Sequence, residues 1–197
     1  MAKPRPRNRE RTIADLLAAA RTLVEQRPYD TIRVSDIAEA AGCSHGLITQ
    51  YFGSRLGLFT QVLQEMAAEI KHHLVEDGPG QTVLDQPVMA TYWPLLAALL
   101  DAGLDPSDAL VPGVPAVDSI LRRAGALADL DLEHGRAVAG FVILMVGGYH
   151  VFGDVLLPVI APSGDPEEAR LNFARTLQGL LRGFVEIDGE RPLASDR

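Results

Sequence analysis

Three sets of residues in this 197-residue chain are of types that can do chemistry. The first lies between Arg33 and Arg55, where Ser35, Ser44, Thr49 and Tyr51 bring hydroxyls, His45 an imidazole, Gln50 an amide and the two arginines guanidinium groups. Those groups hydrogen-bond in directed ways but do not by themselves break covalent bonds. The second set is Tyr149, His150 and Asp154, with His150 and Asp154 four apart and so able to share one helical face. It is suited to acid–base work, but no nucleophile or oxyanion device accompanies it. The third is His72-His73, adjacent and therefore pointing apart on a helix, unlike metal ligands spaced i, i+4. There is no Gly-rich phosphate loop and no metal-ligand spacing. A helical-bundle enzyme is thus the alternative reading; the expectation is a protein that is not an enzyme and has neither cofactor nor metal.

Only the first set comes with elements that would position it. A short helix carrying Ile37, Ala38 and Ala41 should end at Gly42, and a second short helix follows three residues later with Ile48 and Phe52 on one side. Helices joined by a tight glycine-containing turn make the helix-turn-helix unit, whose second helix fits the major groove of DNA. Ala38 and Ala41 are small because two helices crossing that closely leave no room for more. Ile48 and Phe52, four apart, should face inward, leaving His45, Gly46, Leu47, Thr49 and Gln50 toward the groove. Leu47 or the Thr49 methyl can touch thymine methyls, and Gln50 can pair with adenine.

The flanking segments complete a scaffold. Residues 12 to 26 place Ile13, Leu16, Leu17, Ala20, Leu23 and Val24 at helical spacing, and Thr12 with Asp15 reads as a capping box. Pro28 should stop that helix near Gln26. Ser54 can cap a longer helix to about Leu74, with Leu58, Phe59, Val62, Leu63, Met66 and Ile70 in one stripe. At this point the chain resembles the tetracycline-repressor (TetR) family of bacterial transcriptional regulators over roughly residues 10 to 65. The resemblance is carried by Ala20, Tyr29-Asp30, Val34, Asp36-Ile37-Ala38, Ala41-Gly42, Ser44, Gly46, Tyr51-Phe52, Ser54, Arg55 and Leu58. It implies operator DNA as partner, with Ser35, Ser44, Tyr51 and Arg55 on phosphates and Arg33 among the contacts.

Four departures from the family pattern matter. Leu47-Ile48-Thr49 stands where Thr-Leu-Tyr is usual, so a hydroxyl replaces an aromatic contact. Arg55 replaces a phosphate-binding lysine and keeps its charge. Arg33 takes a place often held by Ser or Thr, and Leu56-Gly57 replaces an acidic pair. The last two should weaken helix starts by about 1 kcal/mol each unless something compensates.

Charge divides the chain. Residues 1 to 55 hold nine Lys/Arg and six Asp/Glu, a net of +3, and the rest nine and twenty, a net of −11, which sum to −8. A basic head on an acidic body confines DNA attraction to one end and argues against an architectural, effector-independent DNA-binding protein. Lys3, Arg5, Arg7, Arg9 and Arg11 form a basic arm in which Pro4 and Pro6 discourage helix. Cys43 is the only cysteine, so no internal disulfide is possible, and burial in the turn is its expected fate. The basic N-terminus lacks an apolar stretch behind it, and the longest apolar run, Ala137 to Tyr149, falls short of the ~20 residues that span a bilayer. A cytoplasmic protein without membrane contact is expected.

The acidic body reads as helical, giving an all-α fold: arm 1–9, helix-turn-helix domain 10–70, and a helical effector-binding and dimerisation domain 71–197. Helices are expected over Pro87–Ala102, bent or divided in two at Pro94, over Ala116–Ala128, over Asp131–Leu157 with a stop at Pro158, and from Asp165 to Glu186. Two reading heads about 34–36 Å apart would meet successive major grooves, which asks for a homodimer. The resemblance puts the dimer interface on the last two helices, where Gly179 and Gly183 allow close approach. It also implies a small, largely apolar effector bound in the body. Tyr92, Trp93, Phe141, Met145, Tyr149 and His150 are the candidate lining, being polar or bulky groups set in apolar helices.

Overall fold

The computed structural model describes residues 6–76, 86–107, 132–160 and 165–189, and every regular element among them is helical. In chain order these are α1 (Pro6–Gln26), a 3-10 turn (Tyr29–Thr31), α2 (Val34–Ala40), α3 (Gly46–Phe52), α4 (Arg55–Glu76), α5 (Pro87–Asp101), α6 (Leu132–Ile160) and α7 (Pro166–Gly189). The helix expected over Ala116–Ala128, and residues 1–5 of the basic arm, lie outside the described residues.

Two compact units divide these elements. The first takes residues 1–70 and 87–113, so that α5 joins the N-terminal helices; the second takes residues 71–86 and 114–197. In the first, Leu16 and Ala20 of α1, Ile32, Ile37 of α2, Ile48 of α3 and Leu58, Phe59, Val62 and Met66 of α4 are all but inaccessible to solvent. The i, i+3, i+4 spacing on each helix makes this one core rather than several. The Tyr29 ring meets the Phe59 ring edge-on at 5.1 Å, which fixes the 3-10 turn against α4. Arg21 of α1 bonds both Glu25 and, at 2.7 Å, Glu69 of α4, and these acids raise its pKa. α5 packs on α1 and on the 3-10 turn and buries Val88, Met89, Tyr92, Leu95, Leu96 and Leu99. In the second unit α6 packs on α7.

Three helix limits differ from the sequence expectation by three residues or more: α7 runs to Gly189 rather than Glu186, and the other two fall at prolines. α1 starts at Pro6 rather than Thr12, because proline at the first helical position has no N–H to leave unpaired and a ring already set to helical φ. Thr12 is therefore interior, and Arg9 and Arg11 of the basic arm are helical. α6 continues through Pro158 to Ile160, so the expected stop there is corrected. At the third-last position of the helix, proline forfeits one hydrogen bond without breaking the element. α5 likewise runs unbroken across Pro94.

Helix starts are compensated where the sequence looked weak. Asp36 of α2 accepts the Arg33 backbone N–H at 3.0 Å and the Arg27 guanidinium on the same oxygen. The Arg33 N–H, followed by Arg27, holds the Asp36 carboxyl below the usual carboxylate range. The Gly57 N–H donates to Ser54 Oγ at 2.9 Å at the head of α4, and the Glu167 N–H to Asp165 Oδ1 at 2.9 Å at the head of α7.

A pH dependence follows from Asp36. Its folded pKa is depressed, so its contribution is complete above the unfolded carboxylate value of about 3.9 and is lost as pH falls through the lower folded value. Asp36→Asn should remove that part of the acid-side decline. Urea midpoints measured from pH 6 downward should fall less steeply for the variant than for the wild type below about pH 4.

Candidate nucleic-acid interface

The turn between α2 and α3 is built from three backbone facts. Gly42 has φ +63°, a left-handed conformation that an L side chain resists. The Cys43 N–H donates to the Ala38 carbonyl at 2.9 Å, and the Gly42 N–H to the Glu39 carbonyl at 3.1 Å. That pair of bonds is the Schellman motif, which satisfies carbonyls the helix end would orphan. Ile37 and Ala38 are buried on one side of the turn and Ile48 on the other, so α3 is anchored by its inner face.

The outer face of α3 carries the polar groups. His45, Gly46, Thr49 and Gln50 are exposed, Leu47 and Phe52 are half-buried, and Ser44 is exposed just before the helix. Arg33 and Ser35 are exposed at the start of α2. The positions at 45, 46, 49 and 50 form one strip, as the helical repeat requires. Cys43 is half-buried, and desolvation raises its thiol pKa, which favours the unreactive thiol.

Two cationic residues are placed in ways that local sequence does not reveal. Arg9 sits over the ring of Tyr51 at 5.6 Å, so the basic start of α1 lies beside the C-terminal half of α3. A proline at the first helical position was the available signal for it. Arg55, the first residue of α4, is half-buried. Its guanidinium carbon lies 3.9 Å from the centre of the Tyr29 ring, and Nη2 donates to the Tyr29 carbonyl at 2.9 Å. Its Nε is buried with no acceptor. The side chain is thus turned inward toward the 3-10 turn rather than out along α3.

The candidate effector residues fall into two groups, one in each unit. In the first unit, Tyr92 and Trp93 of α5 meet edge-on at 5.2 Å; burial raises the Tyr92 phenol, and Trp93 Nε1 is buried without a partner. A cleft of about 770 Å³ between the end of α1, the 3-10 turn and α5 is lined by Tyr29, Arg55, Ala90, Pro94 and Ala98 among others, but by neither Tyr92 nor Trp93. In the second unit, Tyr149 stacks on Phe173 of α7 with ring centres 4.8 Å apart and meets His150 edge-on. His150 Nε2 is buried without a partner, and burial lowers the imidazole pKa, favouring the neutral form. Phe141 and Met145 are half-buried on the same helix, whereas the Asp154 side chain lies outside the described residues. No helix among the described residues is long and apolar enough to cross a membrane.

Comparison with known proteins addresses the same elements. Residues 16–62 match the family model for bacterial regulatory proteins of the tetR family. An HTH-type transcriptional repressor of Mycobacterium tuberculosis is 28% identical over 151 residues, covering 77% of this chain and 78% of its own. An HTH-type transcriptional regulator of Mycobacterium bovis matches to the same extent, 28% over 151 residues. In fold, the chain is similar to the crystal structure of a tetR-family transcriptional regulator from Streptomyces coelicolor, with a TM-score of 0.57 at 19% identity over 93% of this chain and 90% of that one. Residues 16–62 thus carry a reading head that matches the tetR-family model, and the all-helical fold around it is similar to that of a tetR-family regulator.

Proposed function

We propose that the protein is a homodimeric repressor that binds operator DNA through α3 and leaves it when a small, largely apolar effector occupies the body. The observation that carries the DNA reading is the division of α3: an inner face pinned by Ile48 and an outer strip of His45, Gly46, Thr49 and Gln50 open to solvent. Gln50 and Thr49 read base edges, and the half-buried Leu47 contributes an apolar edge. Arg33, Ser35, Ser44 and Tyr51 hold phosphates and set the register. Arg55 joins them by swinging away from the Tyr29 carbonyl, a move favoured by the present lack of any acceptor at Nε. Footprinting on an operator selected by the wild type tests the assignment. Gln50→Ala and Thr49→Ala should each cost about 1–3 kcal/mol in specific affinity and relax base preference at one position. Unchanged affinity and preference in both would remove α3 from the reading role.

The dimer is supported by the apolar surface that α6 and α7 leave uncovered. Leu144 is 75% exposed, Phe152 57% and Val155 71%, with Leu156, Leu171 and Leu180 also open. Large apolar side chains grouped on two packed helices mark an interaction surface. A Cβ on Gly140, Gly148 or Gly179 would touch nothing in the same chain, which leaves these positions free for a close neighbour. The resulting interface would be the same patch on both copies. Phe152→Glu should convert the dimer to monomer in sedimentation velocity at micromolar concentration, while Glu at exposed Gln64, on α4, should not. A wild type that sediments as a monomer at every concentration, alone and on DNA, would contradict the proposal.

An effector is drawn to the body by its unsatisfied polar atoms in apolar surroundings. His150 Nε2 is buried without a partner, its ring edge-on to Tyr149, and a ligand hydroxyl can supply the missing hydrogen bond. α4 runs on past Ile70 into the second unit, so a tilt of that helix changes how α3 is held. An effector that fits only the tilted state disfavours DNA by its difference in affinity for the two states. With an effector found by screening aromatic and lipidic compounds for operator release, Tyr149→Phe or His150→Ala should raise the concentration needed about tenfold. Full response in both, with loss in Trp93→Phe, would move the site to α5.

A further inference from the structure

The turn from α3 to α4 is only two residues long, Gly53 and Ser54, and its closeness depends on a residue further on, Gly57. A Cβ built on Gly57 would overlap the carbonyl oxygen of Phe52, the last residue of α3, and lie 3.3 Å from the carbonyl carbon. The obstacle is backbone, so no rotamer change relieves it. Gly57 cannot retreat freely either, because its N–H is held by Ser54 Oγ at 2.9 Å. Leu58 and Phe59, the next residues, are fully buried in the core of the first unit. With α4 fixed on that side, a side chain at 57 must displace the end of α3.

Local preferences do not explain glycine here. It is a poor helix former, and the first turn of a helix favours acidic residues. What glycine does allow is the close approach of two helix backbones. We propose that Gly57 is a specificity-setting positioning residue: its missing Cβ fixes the pitch of α3 on α4, and with it the half-site spacing that the paired reading heads accept. The inference rests on the DNA reading above and names the residue that tunes it. Gly57 itself touches no base.

The test uses the full-length protein with Gly57→Ala, and operators selected from a library in which both half-site sequence and spacer length vary. Circular dichroism establishes that the variant is folded. The expected result is at least a tenfold loss of affinity for the wild-type operator, non-specific affinity within twofold of wild type, and a preferred spacer changed by at least one base pair. A folded variant with lowered thermal stability but wild-type affinity and spacer preference would overturn the proposal, since a purely structural glycine behaves that way. Should Gly57→Ala not fold, one glycine inserted after Gly53 on that background lengthens the turn and relieves the overlap. That protein should fold and select a shifted spacer; retention of the wild-type spacer, or failure of both variants to fold, overturns the inference. A wild type that selects no operator at all overturns the DNA reading, and this inference with it.

Discussion

The reading head depends on the backbone at Gly42. With φ at +63° the chain reverses in one residue, and the Cys43 and Gly42 N–H groups return to the last turn of α2. Any L residue there would carry a strain of about 1–2 kcal/mol, and the head has little to offset it. α2 and α3 have seven residues each, too short to persist as isolated helices in water. Their order comes from being tied to each other at Gly42 and to α1 and α4 through Ile37 and Ile48. The free outer strip of α3 is a product of that arrangement, since every inward position is already taken by core.

Much of this was legible because the controlling signals are local. A glycine after a short apolar helix, a serine before a long one and an aspartate before Pro166 each announce a helix limit within four residues of themselves. The same logic misjudged proline twice. A local reading treats Pro6 and Pro158 as breakers, but the effect of proline depends on where in the helix it falls: at Pro6 the missing N–H would be unpaired anyway, and at Pro158 a single bond is lost in the last turn. The placement of Arg55 was hidden for a different reason. Its partner, Tyr29, is 26 residues away, and only the fold brings the guanidinium over that ring. The effector residues were the least legible part. An aromatic at helical spacing looks the same whether it fills a core or lines a pocket, and the structure divides the six between two units rather than gathering them in one.

Charge and apolar surface divide the labour of the chain. The head keeps a modest positive excess, and its arginines are largely occupied: Arg27 with Asp36, Arg21 with Glu25 and Glu69, Arg55 with Tyr29. The first two are partly exposed ion pairs, which add little stability, and the third is a carbonyl hydrogen bond with a cation–π contact. The acidic body instead leaves an apolar band exposed on α6 and α7. With a net charge of +3 over residues 1–55 and −11 over the rest, bulk attraction to a polyanion is weak for the chain as a whole.

The first unit is discontinuous in sequence: α5, which covers α1 and the 3-10 turn, is separated from α4 by residues 77–86. During synthesis the chain emerges at about 5–20 residues per second, so α1 to α4 are outside the ribosome for some seconds before α5 can join them. In that interval the first unit is unfinished, with the face of α1 and the 3-10 turn on which α5 packs still uncovered. The first unit therefore reaches its final form only once its α5 has been made.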